Sequence, residues 1–120
     1  MNAAEVARKA ATIMSERGHC KNTLEDDKGR VCYIGAVLVA IGGTVNFCSH
    51  PGGARLFDAV TKQSQKLLLE RGYEIEVSYP HIEGTYISRD PVAFNNDPAV
   101  TGEDVILLLK ETAERLEDAR

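Results

Sequence analysis

The run "VCYIGAVLVAIGG", residues 31–43, constrains this chain more than any other stretch. Its small and apolar residues cover every side of whatever they form, so the segment has to be buried all round. It is the longest apolar run in the chain. It falls short of the roughly 20 residues that cross a bilayer. A helix over about 33–41, ended by Gly42 and Gly43, meets both conditions. The rest of the chain must then supply amphipathic cover for it.

Much of that cover is visible in the pattern. Residues 3–17 predict a helix with Asn2 as cap and Glu5 three positions on. Val6, Ala10, Ile13 and Met14 share one face, and Gly18 stops it. A helix over about 53–71 carries Phe57, Val60, Leu67 and Leu68 as its buried stripe. The last helix starts from Thr101, with Asp104 three residues later. Val105, Leu108, Leu109, Thr112 and Leu116 line one face, and Glu111 with Arg115 makes an i,i+4 ion pair. Residues 74–79 alternate instead: Ile75, Val77 and Tyr79 against Glu74, Glu76 and Ser78, the period of a half-buried strand. Tyr86 and Ile87 belong to a second strand after the turn "PHIEG". Residues 20–32 read as a hairpin turning at Asp27, Lys28 and Gly29, with Leu24 and Val31 toward the core. "RDPVAFNNDPAV" reads as a polar, proline-containing connection. The expected fold class is α+β: one compact domain over 1–120, about four helices with one or two small β-hairpins, and a candidate inserted hairpin at about 73–93.

Charge narrows the partners. The net charge is −4. Residues 1–60 carry seven Lys/Arg against six Asp/Glu, and residues 61–120 carry seven against twelve. No basic stripe exists to neutralise phosphates, which excludes nucleic acid. The acidic second half fits a partner protein with a basic patch. "MNAAEVARKAATIM" is charged and amphipathic, not the apolar core of a signal peptide, and three cysteines make no secreted framework. The expected compartment is a reducing cytoplasm, with no membrane insertion.

"HCKNTLEDDKGRVC", residues 19–32, holds the chemistry worth weighing. Cys20, Cys32, Cys48 and His50 are four ligand types that zinc accepts, but no close Cys pair supplies a knuckle. Cys32 precedes a predicted helix, whose N-terminus stabilises thiolate. His19, His50 or His81 would then act as base, with Asp97 or Asn95 orienting it. The third reading makes Cys20 and Cys32 small core hydrophobes, close enough across the hairpin for a disulfide. The core reading leads, and no cofactor is expected. Asp26 and Asp27 are turn residues, and the glycine pairs lack any phosphate-loop pattern. For protein contact the candidates are Glu74, Glu76, Tyr79 and Tyr86 on the alternating segment, with Phe94 as a further aromatic.

"HCKNTLEDDKGRVCYIGAVLVA" and the late "FNNDPAVTGEDVILLLKETAERL" resemble a family of small uncharacterised proteins of actinobacteria and their bacteriophages (DUF6197-like). The likeness covers roughly 3–41 and 94–118. "GRVCYIGA" at 29–36 and "FNND" at 94–97 are its most specific parts. His19 stands where a Trp is common, and 73–93 is longer than usual. The resemblance implies a shared fold, a prokaryotic or phage origin, and Cys32, Asn96 and Asp97 within the common scaffold. It carries no catalytic residues, because the family has no assigned activity. The expected function is a small cytoplasmic regulatory protein that binds another protein, acting on a host protein in the host cytoplasm if phage-encoded. The alternative is a cysteine-dependent hydrolase or transferase using Cys32 with a histidine such as His19; a structural zinc module comes third.

Overall fold

Asn2 opens the first helix by accepting the Glu5 N–H at 2.9 Å on Oδ1. From there α1 (Ala3–Arg17) runs to Gly18, whose N–H closes on the Met14 carbonyl. The remaining helices are α2 (Tyr33–Gly42), α3 (Gly53–Glu70), α4 (Pro91–Asn96) and α5 (Gly102–Asp118). The computed structural model describes residues 1–46, 50–79, 82–88 and 90–119, with backbone alone for 75–79 and 82–88.

The expected α+β class is overturned. The structure is mostly helical, and no sheet layer takes part in the core among the described residues. The short segments β1 (Ile75–Tyr79) and β2 (Ile82–Ser88) pair antiparallel, and among the described residues only with each other. Two strands make a ribbon rather than a layer, and a layer is what the α+β class requires. The stretch at 20–32 is not a regular hairpin either. Single bridges join Val31 to His19 on one side and to Glu25 on the other. Among the described residues five helices replace the expected four, because 91–96 is helical: Asp90 accepts the Val92 N–H at 2.6 Å and Pro91 takes the first helical position.

α2 sits in the middle, as an all-apolar helix must. α1 packs on α2 and α5, and α3 packs on α5, α1 and α2. Ala7, Ala10 and Ala11 of α1 and Ala36 and Ala40 of α2 are all buried, so these two helices approach closely. Met14, Val37, Val60, Leu67, Leu68, Val105, Leu108 and Leu109 fill the space between the helices. Each large side chain among them contributes about 1.5–3 kcal/mol by leaving water. Leu24 departs from expectation: it is 41% exposed, while Val31 is fully buried.

A chain of hydroxyls crosses this apolar interior. Tyr33 OH donates to Ser64 Oγ at 2.6 Å, Ser64 and Thr112 share a 2.7 Å hydrogen bond, and Thr112 Oγ1 donates to the Leu108 carbonyl at 2.7 Å. All three residues are buried, so the chain fixes the register of α2, α3 and α5. On the surface, Arg115 pairs with Glu70, Arg71 with Glu111 and Arg8 with Glu117. The expected Glu111–Arg115 pair thus gives way to two ion pairs from α5 to the last residue of α3 and to Arg71 just past it. Ser64→Ala should lower unfolding free energy by about 1–3 kcal/mol, because it leaves the buried Tyr33 hydroxyl only the long 3.5 Å contact to the Val60 carbonyl and takes away Thr112's side-chain partner. Urea titration checks this, with Gln65→Ala on the exposed side of α3 as the control that stays within about 0.5 kcal/mol.

Candidate functional site

The loop between α1 and α2 is held by its own turn first. Asp26 Oδ1 accepts the N–H groups of Lys28 and Arg30 at 3.1 and 2.8 Å, and Arg30 Nε donates to Oδ2 at 2.5 Å. Asp26 is therefore a turn residue. Arg17 ties the loop back to α1 by donating to the Gly29 carbonyl and pairing with Glu25.

Asn95 of α4 then clamps the loop from beneath. Its carboxamide is 1% exposed. Nδ2 donates to the Cys20 carbonyl at 3.2 Å and to Asn96 Oδ1 at 3.0 Å. Oδ1 accepts the Tyr33 N–H, the first of α2, at 2.9 Å. These partners fix which end of the amide is oxygen. His19 Nε2 lies 2.8 Å from the same oxygen, so Nε2 carries the proton in that bond. Asn96 Oδ1 in turn accepts the N–H of Asn22, which is held at φ +63°.

A second set of bonds fastens the far side. Lys21 Nζ donates to the carbonyls of Asp97 and Val100. Tyr73 OH donates to Asp97 Oδ2 at 2.6 Å, and the Tyr73 ring meets Phe94 edge-on at 4.9 Å. The Tyr73 hydrogen bond, helped by the Ala99 N–H and Lys21, holds the Asp97 carboxyl below its ordinary value. Burial, with Asp97 beside it, pushes the Tyr73 phenol up.

Two glycines permit the fit. A Cβ on Gly35 would stand 2.1 Å from the Leu24 carbonyl oxygen, so α2 begins directly under the loop backbone. A Cβ on Gly102 would stand 2.7 Å from His19 Cβ, where α5 begins.

Beside the clamp the surface opens into a cleft of two adjoining cavities. The smaller, about 390 Å³, is lined by Asn22, Thr23, Cys32, Val92, Asn95 and Asn96 among others. The larger, about 570 Å³, is lined mainly by Ile34, Leu38, Val45, Ala54 and Phe57, with Asp58. Leu24 and Ile34 line both, so one end of the cleft is rich in carboxamides and the other is apolar. Each volume is in the range of ligand sites.

The residues proposed from sequence are placed as follows. Cys20 and Cys32 are buried free thiols. Cys20 Sγ donates to the carbonyls of Arg30 and Thr23 at 3.2 and 3.4 Å, and burial pushes its pKa up. Cys32 is the N-cap of α2 and its Sγ accepts the Gly35 N–H at 3.3 Å. His19 bonds Asn95, and no hydrogen bond joins it to Cys32 among the described residues. His50 is exposed ahead of α3, while Cys48 and His81 lie outside the described residues. Among the described residues no three His, Cys, Asp or Glu side chains gather as a metal site. Glu74 is exposed; Glu76, Tyr79 and Tyr86 lie on the ribbon, and their side chains are outside the described set. Lys21, Ser64 and Tyr73 were not singled out by sequence. A lone lysine, serine or tyrosine gives no periodic signal, and their partners are distant in the chain.

Together these features define a small helical domain whose inter-helix loop is clamped by a buried asparagine beside an open cleft. The chain belongs to a family of unknown function (DUF6197), whose model matches residues 1–115. No curated protein and no solved structure matches it. No helix among the described residues is long and apolar enough to cross a membrane.

Asn95→Ala should cost about 3 kcal/mol or more of stability, since it leaves the buried Tyr33 N–H and Cys20 carbonyl unpaired; urea unfolding measures it. The Tyr73–Asp97 bond makes a separate prediction. Asp97 is more acidic folded than unfolded, so its contribution is full above the ordinary carboxylate value of about 3.9 and is lost as pH falls through the lower folded value. Thermal unfolding followed from neutral pH to below pH ~3 should therefore fall less steeply for Tyr73→Phe than for the natural chain.

Proposed function

We propose that this protein is a binding module that takes an apolar, basic segment of a partner protein into the cleft. The observation that carries the reading is the state of α2. An all-apolar helix should be covered on every side, yet Ile34 and Leu38, one turn apart, remain half-buried and wall the larger cavity. Leu24 and Val92, each 41% exposed, extend the apolar rim. A peptide suits the other end. Asn96 Nδ2 has no protein partner among the described residues, and a carboxamide offers the donor and acceptor that a peptide group needs. Among the described residues Asp58, which also pairs with Lys62 at 3.0 Å, is the one charged residue lining either cavity, and its carboxylate can take a basic residue of the partner as well. The expected setting is the cytoplasm, with the partner a host protein if the chain is phage-encoded.

Selection of a displayed library of random short peptides on the natural protein tests this. Enriched sequences should combine apolar and basic residues. Leu38→Glu should weaken their binding by about tenfold or more, because it places a carboxylate in the apolar end of the cleft. Its helical circular dichroism should stay unchanged. Tyr79→Ala should bind as the natural chain does. Peptides lost with Tyr79→Ala but kept by Leu38→Glu would move the contact to the β1–β2 ribbon and overturn the cleft.

A further inference from the structure

Residues 18–20 run alongside residues 30–32 as a parallel pair. The Val31 N–H donates to the Gly18 carbonyl at 3.0 Å and the Cys20 N–H donates to the Val31 carbonyl at 3.1 Å, which makes His19 and Val31 bridge partners. Residues on the same rung of a parallel pair point to the same face and lie about 4.8 Å apart. Cys20 and Cys32 are the next residues along the pair. The Asn95 carboxamide stands between the Cys20 carbonyl and the Tyr33 N–H, so the ladder goes no further, but the Cys20 N–H bond to the carbonyl of Val31, the residue bonded to Cys32, keeps the two cysteines side by side near the bridge spacing. That spacing falls within the roughly 4.4–6.8 Å between Cα atoms that a disulfide spans. Both residues are only 8% exposed, and both are free thiols. The thiols also sense each other: after burial, Cys32 is the next cause that raises the Cys20 pKa.

We propose that Cys20 and Cys32 are a redox pair, which a peroxide closes to a disulfide. Cys32 is the entry point, because it lines the smaller cavity at the N-terminus of α2. The Cys32 thiolate attacks the peroxide: an S–O bond forms, the O–O bond breaks, and hydroxide leaves to be protonated to water. Cys20 then attacks the resulting sulfenic acid: the S–S bond forms, the S–O bond breaks, and a second water leaves with the Cys20 proton. The pair is oxidised by two electrons and the peroxide is reduced by two. Closure takes Cys32 Sγ from the Gly35 N–H it now caps and alters the wall of the smaller cavity. A thiol reductant reverses it.

The test treats the natural full chain with hydrogen peroxide. Trypsin with chymotrypsin places the three cysteines in separate peptides, residues 18–21, 31–33 and 48–55. Expected are a mass loss of two hydrogens, the loss of two of the three titratable thiols, and a linked pair of the 18–21 and 31–33 peptides that dithiothreitol separates. With Cys20→Ser the same treatment should carry Cys32 on to sulfinic acid, since its resolving thiol is gone. A link to residues 48–55, sulfinic acid on Cys32 of the natural chain, or thiols that stay unmodified would each overturn the pair.

Discussion

The Asn95 carboxamide is the interaction on which the rest of the structure depends. It joins α4 to the loop through the Cys20 carbonyl and His19, and to α2 through the Tyr33 N–H. The reason lies in α2 itself. A helix leaves its first N–H groups without intrahelical partners, and α2 buries that end. Its cap is a cysteine, a weak acceptor that serves only the Gly35 N–H. The Tyr33 N–H must therefore find an acceptor elsewhere, and Asn95 supplies it across 62 residues of chain. An asparagine suits this place because it accepts on one side and donates on the other without bringing charge into the interior.

The clamp and the hydroxyl chain act on opposite ends of one residue. Tyr33 is held by its N–H at Asn95 and by its phenol at Ser64, which in turn bonds Thr112. Burial pushes that phenol up, so it stays a neutral donor. The apolar contacts around α2 are non-directional and would tolerate rotation or sliding. The polar contacts on Tyr33 do not, because any shift would strand a buried donor. Hydrophobic burial drives α2 inward, and these hydrogen bonds decide where it stops.

How much of this the sequence discloses depends on the distance over which each signal acts. Four helices are legible because period and caps are local: Asn2 before α1, Thr101 with Asp104 before α5, and the apolar stripes between. α4 has six residues, too few for a period, and its signal was only Asp90 ahead of Pro91. The alternation at 74–79 indicates a strand but not whether a third strand joins it, so the α+β reading gave one ribbon the weight of a layer. Leu24 was placed inward from its hydrophobicity. Its carbonyl is instead pressed on Gly35, and its side chain is left at the cleft. The clamp was least legible: Asn95 stood only as one of two candidates to orient one of three histidines, and nothing local joins residues 19 and 20 to residue 95.

The position of the cleft follows from the same arrangement. The central helix is apolar on every side, so complete cover would need neighbours all round it. α1 and α3 cover it along its length, and the short α4 approaches its N-terminus, where Asn95 is needed. A longer α4 or an inward Leu24 would extend that cover toward Ile34 and Leu38. Instead the Leu24 carbonyl accepts the Cys32 N–H at 3.2 Å. That bond holds the loop across the start of α2 and leaves its side chain over the cleft. The half-buried apolar stripe is thus a consequence of how the N-terminus of α2 is satisfied, and it lies next to the cysteine that caps it. A change at Cys32 would act on the cap and on the cavity wall at once.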